Sequence, residues 1–290
     1  MSDKKKILVQ LDTDPQASVF DRVVAVDSGV DFLFTHHGVK PEQIQALVHG
    51  AIFPRGPKDL KSTAVFIGGS DVVAGEAALA AVRKSLIPQY GLSVSVMLDS
   101  NGSNTTAAAA VRAASKHMDL GQAKALVLGG TGPVGQRVAR LLARQGAHVR
   151  VGSRSVERAN AVCEAIRASL PDAKVEAVST TSSIDGPKAL DGRDLVIAAG
   201  AAGAMLLPAK MRAAATALHL MIDLNAVPPP GIEGIEMTDK AVTRDGVLCY
   251  GAIGIGDTKM KIHRAAIAQL FESNSQVLDA EEIYDLALRL

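Results

Sequence analysis

The chain has few aromatic residues, two cysteines and no excess of charge of either sign. Aromatic residues make up 3% of its 290 residues and tryptophan is absent, so its apolar content is largely alanine and aliphatic, which suits helices packed closely on a sheet. Cys163 and Cys249 are far apart in the sequence and form neither a zinc-binding pattern nor a disulfide framework. With 31 Lys and Arg against 30 Asp and Glu, the charge balance argues against nucleic acid as the main partner.

Long apolar segments are also absent. The longest, residues 195–209, is interrupted by Gly200, Gly203 and Pro208 and is too short to span a bilayer. The lysines at 4–6 precede a short predicted strand rather than an apolar leader, so we expect no secretory signal. These absences predict a soluble, cytoplasmic protein without a membrane or nucleic-acid partner.

Strand and helix patterns alternate along the chain, which predicts an α/β protein with parallel sheets and helical crossovers. The length suggests two domains. An alanine-rich helix over about 104–117 is followed by Gly121, so we expect a first domain over 1–120, a second over 121–256, and helices over 257–290 that pack back on the first domain. The predicted strands are 7–11, 31–35, 63–68, 92–99, 125–128, 148–151, 174–177, 195–199 and 220–224.

A glycine-rich loop follows the predicted strand at 125–128. Gly130, Gly132 and Gly135 have G-x-G-x-x-G spacing, and a helix pattern opens near Val134. In dinucleotide-binding units the first glycine permits a tight turn, the second lets the backbone approach a pyrophosphate, and the third lets the helix pack close to the sheet. The helix N-terminus then meets the phosphates. The alternative is a glycine-rich turn in an ordinary α/β protein, but the flanking strand and helix favour a Rossmann domain.

The choice of cofactor is indicated at the end of the next strand. NAD-binding units usually place Asp or Glu about 20 residues past the glycines, to hold the ribose 2′-hydroxyl. Here Ser153, Arg154 and Ser155 occupy that position, and a guanidinium can bind a 2′-phosphate. The alternative is that Arg154 is a surface arginine and Ser155 only a helix cap. The pattern favours NADP.

A second polar loop, residues 99–106, lies between a predicted strand and the alanine-rich helix. It places many short polar side chains at the carboxyl end of a strand, where α/β proteins bind their ligands. The alternative is a capped helix start, which needs only one or two of these residues. Asp12 and Asp14 follow the first strand in the same way, but no matching ligand set accompanies them, so we expect no metal site.

Taken together, these segments resemble the NADP-dependent methylene-tetrahydromethanopterin dehydrogenases of methylotrophic bacteria. The resemblance extends over nearly the whole chain, in the same order, and is more specific than the glycine loop alone. The residues at 34–38, Phe-Thr-His-His-Gly, depart from the family pattern. The matching segments are 12–14, 18–21, 99–107, 130–135, 225–226, 228–229, 231–232, 234–235, 251–256, Lys259, 261–264, 270–273 and 279–284.

The resemblance implies a pterin-binding first domain, a Rossmann NADP-binding domain and an active site in the cleft between them. It implies hydride transfer from methylene-tetrahydromethanopterin to NADP⁺ in one-carbon metabolism, with a homo-oligomer, trimer or hexamer, as the assembly. The cofactor-binding residues that it implies are Gly130, Thr131, Gly132, Pro133, Val134, Gly135, Ser153, Arg154 and Asn225. The substrate-binding residues are Asp14, Phe20, Ser100, Asn101, Gly102, Ser103, Asn104 and Thr105.

This reaction moves a hydride and no proton, so it needs no general base. Catalysis would come from positioning two ring systems and from excluding water. Lys259, after a glycine-rich turn expected at 251–256, is the candidate catalytic residue. It would orient the pterin or tune the electric field at the site, because a cation does not stabilise a developing cation. The alternative is a lysine without ligand contact. Lys261, His263 and Arg264 are expected to be solvated or packing residues.

Three other functions remain open at this point. Methylene-tetrahydrofolate has the same reacting rings, and a pocket discriminates a methyl group by only about 1–3 kcal/mol, so a methylene-tetrahydrofolate dehydrogenase is the second hypothesis. A third is an NADP-binding sensor without turnover. A shikimate-dehydrogenase-like enzyme would need a Lys/Asp acid–base pair in the first domain, which the sequence does not offer convincingly.

Overall fold

The computed structural model describes residues 4–181, 184–213 and 215–290, and it divides into two compact units. One unit comprises the chain up to Thr105 together with Met260–Leu290, and the other comprises Thr106–Lys259. The C-terminal residues therefore group with the N-terminal part of the chain. The divisions fall within two continuous helices, Ser103–Ser115 and Ala252–Gln269, whereas the sequence places them after residues 120 and 256.

The elements alternate as the sequence predicts. The strands are β1 (Ile7–Asp12), β2 (Phe32–His36), β3 (Thr63–Gly68), β4 (Ser95–Leu98), β5 (Lys124–Leu128), β6 (His148–Ser153), β7 (Val175–Ser179), β8 (Leu195–Ala198), β9 (Leu220–Asp223), β10 (Lys240–Arg244), β11 (Val247–Tyr250) and β12 (Val277–Leu278). The helices are α1 (Val19–Asp27), α2 (Pro41–Ile52), α3 (Val72–Ser85), α4 (Ser103–Ser115), α5 (Pro133–Arg144), α6 (Val156–Ser169), α7 (Asp185–Leu190), α8 (Ala209–Arg212), α9 (Ala252–Gln269) and α10 (Ala280–Arg289).

The first unit is built on a parallel sheet with the strand order β12-β4-β3-β1-β2. The inner strands β3 and β4 are buried along their whole length, as expected for a parallel sheet covered on both faces. On one face, Ile44 and Val48 of α2 join Leu79 and Val82 of α3 in a single apolar cluster with the strands. One part of the core of this unit therefore lies between the sheet and these two helices.

Side-chain caps fix where the helices of this unit begin. Ser18, Asp71 and Asp279 each accept a backbone N–H at the start of α1, α3 and α10, and Pro41 occupies the first turn of α2. Helices α1 and α3 each follow a strand of the parallel sheet. Their N-termini and the loops before them therefore lie at the carboxyl edge of the sheet, where α/β proteins bind ligands.

The second unit is a doubly wound sheet with the order β10-β11-β9-β8-β5-β6-β7. The order β7-β6-β5-β8-β9 is that of a Rossmann domain, and every pair is parallel except β10 with β11. The antiparallel hairpin β10–β11 was not expected from the sequence. Strand β10 is mostly exposed and has no clear alternation of apolar and polar residues, so its pattern gives no strand signal.

The expected glycine-rich turn at 251–256 is wrong. Helix α9 begins at Ala252, so most of this segment is helical. A Cβ on Gly251 would lie 2.6 Å from the carbonyl carbon of Met237, and a Cβ on Gly254 would lie 2.7 Å from that of Asp239. These glycines let the first turn of a helix pack directly on the backbone that leads into β10.

No helix in the described part of the chain combines the length and apolar character needed to cross a membrane. Nor do the described residues bring together three or more His, Cys, Asp or Glu side chains in an arrangement that could hold a metal ion.

Candidate functional site

The loop after β5 approaches the strand end of β8 closely. Gly129 has a φ of +68°, which residues with a side chain rarely adopt, and a Cβ there would lie 2.6 Å from Cα of Gly200. The left-handed turn is thus made by Gly129, one residue before the Gly130 to which the sequence pattern assigns it. Gly130 is required for packing instead, because a Cβ there would lie 2.7 Å from a methyl group of Val151.

The other two glycines of the motif, Gly132 and Gly135, differ in how closely other atoms surround them. A Cβ on Gly135 would overlap the carbonyl oxygen of Gly129 and lie 2.8 Å from Cα of Gly130, so α5 packs against the loop only because residue 135 is glycine. Gly132 has an ordinary backbone conformation, and the nearest atom to an added Cβ would be 3.4 Å away. The protein's own packing therefore requires glycine at 135 but not at 132.

Helix α5 offers an anion site at its start. Its N-cap is Gly132, its first residue is Pro133, and no side chain caps it. Gln136 secures the loop through a hydrogen bond from its side-chain amide to the carbonyl oxygen of Thr131, at 2.8 Å. The positive end of the helix is thus available to a phosphate group, and the loop geometry fits a dinucleotide pyrophosphate.

The end of β6 lies beside this loop. The hydroxyl oxygens of Thr131 and Ser153 are 3.4 Å apart, and Ser153 is buried. Arg154 is exposed. Ser155 accepts the backbone N–H of Arg158 as the cap of α6 and donates its hydroxyl to Glu157 at 2.8 Å. The cap role considered for Ser155 is therefore present, while Arg154 projects a cation at the strand end.

Asn225 lies in the loop after β9 and holds that loop together. Its side-chain oxygen accepts the N–H groups of Val227 at 3.0 Å and Gly203 at 3.3 Å, and its amide donates to the carbonyl oxygen of Pro229 at 2.9 Å. Its backbone N–H donates to the carboxylate of Asp223. Burial raises the pKa of Asp223, although backbone N–H groups lower it in part.

In the first unit, Asp99 organises the polar loop after β4. The carboxylate is almost fully buried and accepts the backbone N–H groups of Asn104 and Thr105, each at 3.0 Å. The hydroxyl of Thr105 also donates to it at 2.6 Å. Asp99 therefore acts as the cap of the first turn of α4, and it was not among the predicted binding residues although the loop pattern includes it.

The predicted substrate-binding residues 100–105 separate into two groups. Ser100, Ser103, Asn104 and Thr105 are buried, and their side chains donate to protein groups, for example Ser103 to the carbonyl oxygen of Ser100 at 2.7 Å. Asn101 is exposed and has a φ of 55°, and Gly102 has a φ of 58°. The exposed tip of this loop is thus formed by Asn101 and Gly102, and the other residues of the loop are buried beneath it.

The two other predicted substrate residues lie at the same edge of the sheet. Asp14 accepts two hydrogen bonds from Ser70, from its backbone N–H at 3.0 Å and from its hydroxyl at 2.8 Å, which joins the loops after β1 and β3. Phe20, in the first turn of α1, has 51% of its surface exposed. An exposed ring of this size next to polar loops is a suitable stacking surface for a flat heterocycle.

His263 was expected to be a solvated or packing residue, and it proves to be fully buried. Its ring stacks on that of Phe66, with centroids 5.7 Å apart, and lies 6.2 Å from that of Phe20. Its Nδ1 is 4.0 Å from a carboxylate oxygen of Asp99. No local sequence pattern indicates these contacts, because His263 and Asp99 are 164 residues apart along the chain.

Lys259, the candidate catalytic residue, is half-buried on α9. It lies in the second turn of that helix, four residues before His263, so the two side chains project from the same face.

Residues 34–38, which depart from the family pattern, comprise the end of the edge strand β2 and the two residues after it. Thr35, His36 and His37 line a cavity of about 400 Å³ with Gln43 and Leu47 of α2.

Residues 112–242 match the family described as shikimate/quinate 5-dehydrogenase. Among solved structures, the shikimate 5-dehydrogenase from Listeria monocytogenes covers 97% of this chain and 96% of its own, with a TM-score of 0.53 and 14% identity. The quinate dehydrogenase from Corynebacterium glutamicum covers 99% of both chains, with a TM-score of 0.51 and 15% identity. The fold, with the glycine loop at the end of β5, is that of these dehydrogenases.

The first unit distinguishes this chain from those enzymes. Residues 19–101 match the family described as methylene-tetrahydromethanopterin dehydrogenase, N-terminal. A Methylorubrum extorquens protein named "Bifunctional protein MdtA" is 45% identical over 98% of both chains. The NAD(P)-dependent methylenetetrahydromethanopterin dehydrogenase of the same organism is 29% identical over 99% of both chains. The chain belongs to the methylene-tetrahydromethanopterin dehydrogenase family, as the resemblance in its sequence indicates.

Proposed function

We propose that the protein transfers a hydride from methylene-tetrahydromethanopterin to NADP⁺, giving methenyl-tetrahydromethanopterin. The observation that carries the proposal is the 45% identity with a family member over 98% of both chains. Because the relationship extends over both units, it includes the loops at 12–14 and 99–105 as well as the glycine loop. The first unit would bind the pterin and the second the dinucleotide.

The residues of the second unit fit a bound dinucleotide. Gly132 needs no glycine for the protein's own packing, so its lack of a side chain is explained by the close approach of a pyrophosphate. The uncapped N-terminus of α5 would face the phosphates. Arg154, exposed at the end of β6, would bind a 2′-phosphate, which supports a preference for NADP over NAD.

The first unit would hold the carrier through one ring surface and two polar loops. Phe20 offers the stacking surface, and Asn101 with Gly102 forms the exposed tip of the loop that Asp99 fixes. When bound, NADP⁺ supplies the hydride acceptor. The chain's own contribution is to position both ligands and exclude water, an effect that can supply several kcal/mol without a proton-transfer residue.

A second candidate is methylene-tetrahydrofolate dehydrogenase activity at the same site. Its support is the shared chemistry of the two carriers, and the 45% identical relative is named a bifunctional protein. The two carriers share the reacting rings, and a pocket separates them by only about 1–3 kcal/mol for each methyl group. We further propose that the enzyme acts in the cytoplasm as a homo-oligomer, trimer or hexamer.

The test is a matrix of initial rates with both methylene carriers and both nicotinamide cofactors, followed by the absorbance of the reduced cofactor. We expect the highest kcat/KM with methylene-tetrahydromethanopterin and NADP⁺. A higher value with methylene-tetrahydrofolate would make the second candidate the main activity. Tight NADP binding without turnover in any combination would overturn both and leave a sensor.

A further inference from the structure

His263 is a buried titratable side chain that the proposed reaction does not use directly. It lies on α9 between the exposed Lys261 and the half-buried Arg264, yet no part of its surface is accessible. Burying an imidazole has a cost that a solvated position on the same helix would avoid. The contacts made by the ring therefore indicate what this position requires.

The ring supports Phe20. The two ring centroids are 6.2 Å apart with an interplanar angle of 40°, and the ring of His263 also stacks on that of the buried Phe66, with centroids 5.7 Å apart and an interplanar angle of 21°. Phe20 is 51% exposed, so its contact with His263 helps to fix the orientation of a ring that is otherwise largely in solvent. Aromatic contacts of this kind set the orientation as well as adding stability.

His263 also lies against the loop after β4. Its Nδ1 lies 4.0 Å from the Asp99 oxygen that also accepts the hydroxyl of Thr105. The second oxygen of Asp99 accepts two backbone N–H groups of the same loop. One buried side chain thus touches both the exposed ring and the carboxylate that shapes the polar loop.

We propose that His263 is a positioning residue of the pterin site, which holds the Phe20 ring and the Asp99 loop in the arrangement that binds the carrier. The inference rests on the proposed function and names a residue that acts through two others. His263 is buried behind Phe20 and does not touch the reacting atoms. Its effect should therefore be on carrier binding and be coupled to Phe20.

The test is a double-mutant cycle with His263→Asn, Phe20→Leu and the combination of the two. At saturating NADP⁺, we expect each single change to raise the KM for methylene-tetrahydromethanopterin at least roughly fivefold. The KM of the double variant should be within about twofold of the higher of the two single-variant KM values. The NADP dissociation constant should stay within about twofold of the wild type, which also reports that the second unit is folded. His219→Asn, an exposed histidine of the second unit, is the matched control.

A purely structural histidine predicts the opposite pattern. Its loss would lower the unfolding temperature and leave the KM of the folded protein unchanged, or it would raise the KM independently of Phe20, so that the KM increases of the two single variants multiply in the double variant. Either result overturns the proposal. If His263→Asn does not fold, His263→Gln, which also keeps a polar group that can face Asp99, replaces it in the same cycle, with the same expected and overturning results. Wild-type protein without turnover would instead overturn the proposed function, and the cycle would then be measured as dissociation constants of the carrier.

Discussion

The side-chain amide of Asn104 donates a hydrogen bond to the carboxylate of Asp279 at 2.8 Å, across 175 residues of sequence. The same amide donates to the carbonyl oxygen of Leu98 at 2.6 Å, so Asn104 joins the end of β4 to the start of α10. Asp279 in turn caps α10 in a capping box with Glu282. The polar loop of the first unit is therefore fastened to the C-terminal helix, which explains why residues from Met260 onward group with the N-terminal sheet.

Replacing Asp279 by alanine should destabilise the first unit. The change removes the cap of α10, worth about 1 kcal/mol, and takes an acceptor from the buried amide of Asn104, which costs about 1–3 kcal/mol. We expect a loss of about 2–4 kcal/mol in the free energy of unfolding, measured by urea titration. Asp279→Asn keeps a cap oxygen and an acceptor and should recover most of it. Equal losses for the two variants would show that the oxygen contacts are not the cause.

Two glycine substitutions should separate packing from cofactor binding. Gly135→Ala places a methyl group against the carbonyl oxygen of Gly129 and should lower the unfolding temperature. Gly132→Ala adds a methyl group that the loop accommodates at 3.4 Å, so stability should change by no more than about 0.5 kcal/mol while the dissociation constant for NADP rises about tenfold or more. Unchanged NADP affinity in the folded Gly132→Ala protein would remove the pyrophosphate assignment.

The sequence predicts the architecture well because the signals for it are local. The buried strands β3 and β5 and the capped helices α1 and α3 have apolar runs, cap residues and turns that can be recognised within a few residues. The glycine-rich stretch at 251–256 was misassigned because glycine is typical of turns. Its real function, to let α9 pack on the backbone of residues 236–240, depends on a long-range contact.

The site is predicted less completely, for the same reason. Motif spacing identifies the glycine loop and Arg154, since these follow one strand and precede one helix. It does not reveal that Thr105 and Ser103 use their hydroxyls within the protein, or that His263 is buried against Asp99. These relationships arise only when distant segments meet at the carboxyl edge of the sheet.

Acid should weaken the second unit through the pair formed by Asp239 and Arg244. Two hydrogen bonds from the guanidinium, at 2.6 and 2.7 Å, lower the pKa of the nearly buried Asp239 carboxyl below the ordinary value of 3.8. A lowered pKa contributes stability that is present above pH 3.8 and is lost as the pH falls through the folded-state value.

The variant Arg244→Gln tests this pH dependence. It should lower the urea midpoint at pH 7, and the difference from the wild type should shrink as the pH is lowered below 3.8. Lys240→Gln, which removes an exposed ion pair with Asp257, is the control and should change little. A difference that does not depend on pH would mean that Arg244 acts through packing rather than through the charge of Asp239.

Arg154→Ala should reduce the preference for NADP over NAD. The exposed guanidinium at the end of β6 would lose its charge-assisted contact with the 2′-phosphate, so the dissociation constant for NADP should rise about tenfold or more while that for NAD changes little. Lys174→Ala removes the same charge at the opposite end of the neighbouring strand β7 and serves as the control. An equal rise in the dissociation constants for NADP and NAD would show that Arg154 does not bind the 2′-phosphate.

Lys259→Ala should lower turnover without changing NADP affinity. The side chain is half-buried and projects from the same face of α9 as His263, the residue that we propose positions Phe20 in the pterin site, so its loss should affect the orientation of the carrier. We expect kcat to fall about tenfold or more, as is common when a positioned polar group is removed, with the NADP dissociation constant unchanged. Lys261→Ala, on an exposed position two residues later, is the matched control and should retain full activity. A wild-type kcat for Lys259→Ala would make this lysine a bystander, whereas recovery of the rate by Lys259→Arg would show that the reaction needs a cation at this position.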